Sequence, residues 1–307
     1  MIIVRELDEY IKTKQYRLIN SVLVWQDGNV VLERYYNGFN KDSRNVIRSV
    51  VKSILSICTG ICLDKGLIKG LDEPIYKYLD VFSEGMHPYH RAITIKHLLT
   101  MTSGIYWVGG VHYHCPQLSV LRRSRNWIEH IAETDVLNLP GSKFNYSEFD
   151  VILLTAVLEK AIGGDVFDYI NENLYKPLNI NSGRWWKSKC GVYYSCAEAG
   201  EGNGGENERT SNLTANEMVR LGQLFLQKGM YNGKQIVSEK YVNEAITPSK
   251  HNSNYGYLWW LGEGFYGARG YGGQNITVIP KMNKIIVIQA TPTARGKEYD
   301  DVLNFIM

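Results

Sequence analysis

Strand-like runs lie near both ends of this chain, and helical patterning fills the middle. Residues Ser21 to Gln26 and Asn29 to Tyr36 are apolar, β-branched and aromatic, and Asp27-Gly28 joins them. Asp-Gly accepts the two positive-φ positions of a tight turn, so the pair predicts a β-hairpin. Ahead of it, MIIVRELDEYIKTK sets apolar and charged residues at helical spacing. A helix is expected from near Ser49 to Gly66, with Ile54, Leu55, Ile57, Cys58, Ile61 and Cys62 on a broad apolar face. From Leu71 to Thr247 the pattern is mainly helical. Thr94 caps IKHLLTM, Phe149 to Ile162 forms an amphipathic helix closed by Gly163-Gly164, Thr214 and Glu217 form a capping box, and Ser238 caps KYVNEAI. Beyond Tyr255, YGYLWW, FYGARG, ITVIP and KIIVIQA read as strands, and EYDDVLNFIM as a closing helix. Strands from both ends bracketing helices predict one antiparallel sheet, helices packed on it, and a helical insertion. The expected division is an α/β unit of residues 1–70 and 248–307 and a mostly helical unit of residues 71–247.

Composition narrows the function classes. The chain has 307 residues, 44% hydrophobic and 21% charged, the balance of a folded protein. The net charge of +3 gives no electrostatic case for nucleic acid as a partner. No apolar run approaches the roughly 20 residues that span a bilayer. The amino terminus lacks a basic start followed by an apolar core, so no signal peptide is read there. Five scattered cysteines argue against a disulfide framework and fit a reducing compartment, which makes a cytoplasmic location the expectation.

Three short elements carry candidate chemistry. In SVVK, Ser49 and Lys52 are three apart at the start of a helix, so both side chains share one face. The helix amino terminus adds free N–H groups and a positive dipole end. A serine hydroxyl is a weak nucleophile until a base adjoins it, and Lys52 is such a base. Taken singly, S-x-x-K reads equally as a helix cap followed by a solvated lysine. In PGSKFNYSEFD, the phenol of Tyr146 is a candidate proton carrier, or one turn tyrosine among 21. In GFYGARGYGGQNITVIP, small residues at Gly267, Ala268, Gly270, Gly272 and Gly273 permit close approach to a strand backbone, which could offer an N–H to an oxyanion. The alternative there is a bulged or tightly packed strand.

Together these elements resemble the serine β-lactamase and penicillin-binding-protein superfamily, on the class C β-lactamase, esterase and 6-aminohexanoate-dimer hydrolase side. Its S-x-x-K motif matches Ser49 and Lys52, its Y-x-N or Y-S-x motif matches Tyr146-Ser147, and its K-T-G or H-x-G motif falls on Ala268-Arg269-Gly270. The blocks ITIKHLLTMTSGI, NLTANEMVRLGQLFL and NGKQIVSEKYV match as well, from about Val22 to Ala290. The resemblance implies a transpeptidase-like α/β sandwich carrying a mostly helical domain, with the site in the cleft between them. It implies Ser49 as acylated nucleophile, Lys52 as activating amine and Tyr146 as general base and acid. Backbone N–H groups of Ser49 and Tyr271 would form the oxyanion hole, and Ser147, Glu148, Ala268, Arg269 and Gly270 would meet the substrate. No metal or other cofactor is implied.

Two positions depart from the pattern. Glu148 stands where many relatives have Asn, and Ala268 stands where Lys or His meets a substrate carboxylate. These departures favour a hydrolase of small esters or amides over two alternatives, a D-alanyl-D-alanine carboxypeptidase or a weak class C-like β-lactamase. They also motivate a third reading, a catalytically silent binding protein of the same fold. His112, His114 and Cys115 cluster, and His87 and His90 are three apart, but no C-x-x-C or H-E-x-x-H pattern accompanies them, so they read as loop residues. Cys58 and Cys62 read as small core residues. Trp107, Trp127, Trp185 and Trp186 are candidates for an apolar substrate wall or for the core. The glycine-rich stretch from Glu198 to Arg209 reads as a surface loop, which the resemblance implies borders the cleft.

Overall fold

The structure is a computed structural model and describes residues 2–83, 87–109, 115–194, 211–293 and 296–307. The hairpin forms as expected, from β1 (Ile19–Gln26) and β2 (Asn29–Tyr35). Its turn places Asp27 at φ 49° and Gly28 at φ 91°, the left-handed pair that Asp-Gly tolerates. Four further strands follow late in the chain: β3 (Trp260–Gly262), β4 (Phe265–Gly270), β5 (Gln274–Ile279) and β6 (Lys284–Ala290). They join the hairpin in one antiparallel sheet of order β2-β1-β6-β5-β4-β3. The pairing of β1 with β6 brings the two ends of the chain together at mid-sheet.

Every residue of β5 and β6 is buried, because both faces of the sheet are covered. Alternation along the strands sorts the side chains into two clusters. Val22, Val24, Ile286 and Ile288 meet Leu7 and Ile11 of helix α1 (Ile2–Thr13) and Val302 and Leu303 of the closing carboxy-terminal helix, Asp300–Ile306. Leu23, Trp25, Ile285 and Val287 face the larger core, which contains helix α2 (Val50–Asp64). In the same core lie α3 (Ile95–Leu99), α4 (Glu148–Ile162), α5 (Ala215–Leu226) and α6 (Glu239–Ala245). The closing helix is α7.

Local signals set the helix ends. Thr94 and His97 form a capping box on α3, and Thr214 and Glu217 form one on α5. Gly163 terminates α4 at φ 70°. Although α5 falls inside the stretch expected to be a helical insertion, it lies on the sheet against β1, β5 and β6. Gly222 permits that approach, since a Cβ there would stand 2.8 Å from Ile285 Cγ2.

The run YGYLWW differs from expectation. Only Trp260 belongs to a strand; Tyr255 to Trp259 form a buried turn with Leu258 at φ 60°. The apolar character of this run reflects burial among helices, with Trp259 stacked on Phe225 of α5 at 4.1 Å. Among the described residues, no helix is long and apolar enough to cross a membrane.

Candidate active site

The amino terminus of α2 positions the first candidate pair. Arg48 adopts φ 51°, a conformation costing an ordinary L-residue roughly 1–2 kcal/mol, and turns the chain into the helix. Ser49 occupies the cap position, but its hydroxyl makes no capping bond to the helix backbone. Instead it accepts a hydrogen bond from Lys52 Nζ at 2.8 Å, as the spacing of one helical turn allows. Lys52 is 1% exposed, and a buried ammonium is costly unless paired. Glu148 supplies the partner, with its Oε1 3.0 Å from Nζ. The ammonium also lies 5.2 Å from the centroid of the Tyr146 ring.

Tyr146 and Glu148 flank the start of α4, and that start is firmly held. Ser147 caps the helix, its Oγ accepting from the N–H groups of Phe149 at 3.1 Å and Asp150 at 3.4 Å. Asp150 is fully buried and accepts from Ser103 Oγ at 2.5 Å and Ser103 N at 3.3 Å. Burial pushes its carboxyl up to about 7, against the opposing effect of these hydrogen bonds. The Asn145 N–H donates to the Met101 carbonyl at 2.8 Å, which fixes the approach to Tyr146. The Tyr146 ring stacks on Trp260 at 5.7 Å and meets Tyr255 edge-on at 6.2 Å.

The third element is β4. Its neighbour β3 pairs only with Phe265 to Gly267, so the segment from Ala268 to Gly270 is open on that side. Gly270 is required by packing, since a Cβ there would come within 2.3 Å of the Ile47 carbonyl oxygen, two residues before Ser49. Glycine thereby brings β4 against the segment that delivers Ser49. The close approach anticipated from the small residues is thus made by the protein's own backbone.

These elements enclose a cavity of about 320 Å³ lined by Ser49, Tyr146, Trp260, Arg269, Gly270, Tyr271 and Glu298. Of the residues singled out in the sequence, Ser49, Tyr146, Arg269, Gly270 and Tyr271 border it, while Lys52 and Glu148 reach it through Ser49 and each other. Two expected substrate contacts do not. Ser147 is buried as a helix cap, and Ala268 is fully buried in the core, because neighbouring strand residues point to opposite faces. The cavity's tryptophan is Trp260. Trp107, Trp127 and Trp185 are core residues, and Trp186 packs against Trp127 at 6.0 Å. Trp260 was visible only as part of an apolar run, and Glu298 gave no local signal at all.

The remaining candidates have structural surroundings. The His87 ring accepts from Tyr89 N, and His90 Nε2 lies 3.0 Å from the Thr134 carbonyl. Cys58 and Cys62 are buried side by side, which pushes the Cys58 thiol up through its hydrogen bond with Cys62 and through burial. His112, His114 and the glycine-rich stretch from Glu198 to Arg209 lie outside the described residues.

Comparison with known proteins gives the fold a family. The chain is 24% identical to an uncharacterised protein of Alkalihalophilus pseudofirmus, over 87% of this chain and 82% of that one. A penicillin-binding protein from Bacillus halodurans superposes with a TM-score of 0.75 at 20% identity, covering 98% of both chains. A candidate 6-aminohexanoate-dimer hydrolase from Bacillus anthracis gives 0.77 at 19% identity, covering 98% of this chain and 80% of its own. The architecture is therefore the β-lactamase/transpeptidase-like fold. The Beta-lactamase family profile matches residues 7–304, nearly the whole length, and this chain belongs to the Beta-lactamase family.

Proposed function

We propose that the protein is a serine hydrolase that cleaves a small ester or amide through an acyl-enzyme. The observation that carries this reading is the 2.8 Å hydrogen bond between Lys52 Nζ and Ser49 Oγ at the wall of a cavity that Tyr146 also lines. Ser49 Oγ attacks the substrate carbonyl, and its proton passes to the Lys52–Tyr146 pair, which acts as base in its singly deprotonated form. The backbone N–H groups of Ser49 and Tyr271 receive the developing oxyanion. Collapse breaks the carbonyl's bond to the leaving group, which takes up the proton. Water then attacks the ester on Ser49, the same pair accepts its proton, and the acid is released. Glu148 keeps the buried amine paired throughout.

A penicillin-binding peptidase or weak β-lactamase is the second reading, and Arg269 at the cavity wall is the observation favouring it. A guanidinium there would meet the carboxylate of a peptide terminus or a β-lactam. Against it, Arg269 is already paired with Asp300 at 3.0 Å.

Intact-mass measurement after a fluorophosphonate activity probe tests the chemistry. The expected result is one adduct in the wild type and none in Ser49→Ala. An adduct that persists in Ser49→Ala would remove Ser49 as the nucleophile, and no adduct at all would leave a silent binding protein as the better account. Turnover of short p-nitrophenyl esters without turnover of a chromogenic cephalosporin supports the first reading over the second.

A further inference from the structure

We propose that the cavity selects substrates carrying a cationic nitrogen, received by Glu298 and the aromatic rings beside Ser49. This deepens the acyl-enzyme reading and rests on it. Among the described residues, the cavity wall carries two charged side chains, Arg269 and Glu298, and three aromatic ones, Tyr146, Trp260 and Tyr271. The charge of Arg269 is answered by Asp300, 3.0 Å away at the first turn of α7. Glu298 leaves the trio of Arg269, Asp300 and Glu298 with one negative charge in excess. Lys52 and Glu148 balance each other, and Arg48, which acts on Tyr271, is not part of the lining.

The surroundings of Glu298 strengthen the case. Glu298 keeps one side open to solvent while lining the cavity, and crowding by the protein on its other side raises its carboxyl above the usual carboxylate range, against the opposing field of Arg269. A carboxylate at a cavity wall attracts an arriving cation most strongly where the bound molecule displaces the water between them. Faces of Trp and Tyr rings attract cations through their quadrupole and offer nothing to a carboxylate. A wall of one carboxylate, three rings and a guanidinium already paired with Asp300 therefore favours a cation over an anion. The volume of about 320 Å³ restricts the partner to a small molecule. In the reaction, the Ser49 Oγ–acyl bond forms as the substrate's C–O or C–N bond breaks. The protonated leaving group departs, water later cleaves the acyl bond, and the cationic nitrogen is unchanged.

The test uses three p-nitrophenyl esters of equal acyl length, ending in trimethylammonium, tert-butyl or carboxylate. The first two are matched in shape and differ only in charge. The wild type is expected to show kcat/KM about tenfold higher for the cationic ester than for its neutral isostere, expressed mainly in KM. Glu298→Gln is expected to bring that ratio toward one, whereas Arg269→Gln should not lower it. Because the ratio compares two substrates on one sample, partial misfolding of a variant does not mimic the effect. A wild-type ratio near one, a ratio unmoved by Glu298→Gln, or a preference for the carboxylate ester overturns the inference. Any of these, with Ser49 still labelled by the fluorophosphonate, leaves the acyl-enzyme reading standing. Absence of both labelling and turnover removes both.

Discussion

At the scale of single residues, the site juxtaposes a partly buried acid and a fully buried one in opposite situations. Glu148 faces Lys52 and forms an ion pair. Asp150, two residues on, accepts from the hydroxyl and N–H of Ser103. Its carboxyl titrates near 7 in the folded protein, against 3.8 for an ordinary aspartate. The folded state thus holds a proton that the unfolded chain has already released across that interval. Stability from this group is fully present below about pH 4 and is lost as pH rises toward 7. At about 1.4 kcal/mol per pH unit, the loss is on the order of a few kcal/mol. Asp150→Asn removes the titration whatever it does to the baseline. In urea unfolding, wild-type stability should therefore decline relative to the variant between pH 4 and 7, then run parallel to it. Curves parallel across the whole range would show that Asp150 keeps an ordinary carboxyl.

At the scale of elements, the cap of α4 distinguishes structural from substrate-facing roles. Ser147 satisfies two helix N–H groups and is buried, so Ser147→Ala should cost about 1–2 kcal/mol. Melting temperature should fall, while KM for a short ester should change little, because the side chain does not border the cavity. A KM rise of tenfold or more without destabilisation would return Ser147 to the substrate. Much of this level was legible from local chemistry. Asp27-Gly28 fixed the hairpin turn, Thr94 and Thr214 opened their helices, and the three-residue spacing put Lys52 beside Ser49. Orientation was less legible. A motif names three consecutive strand residues, but the pleat turns Ala268 into the core and leaves Arg269 at the cavity. Trp260 and Glu298 reach the cavity only through long-range packing, which no window of sequence around either residue encodes.

At the scale of the whole molecule, the sheet separates stabilising contacts from the candidate chemistry. On one face, α1 and α7 cover the sheet through Leu7, Ile11, Val302 and Leu303. On the other, the larger core carries Val50, Val51 and Phe149, neighbours in sequence of the candidate site residues. Residues separated by almost 250 positions, from Ser49 to Glu298, thus share one cavity whose frame is braced from the opposite face. Leu303 is 2% exposed, and truncating such a leucine costs about 2–5 kcal/mol, a large share of the 5–15 kcal/mol of an ordinary domain. Ser49, Lys52 and Tyr146 have no place in the Leu303 cluster. Leu303→Ala should therefore lower the melting temperature by several degrees. Below that transition, the fluorophosphonate labelling rate of Ser49 should stay within about twofold of wild type. The cationic preference assigned to Glu298 is the property most exposed to this variant, because Glu298 lies two residues before α7 and Asp300 opens that helix. A labelling rate that fell in step with stability would mean that both faces of the sheet act as one mechanical unit and that α7 helps hold the Ser49 geometry itself.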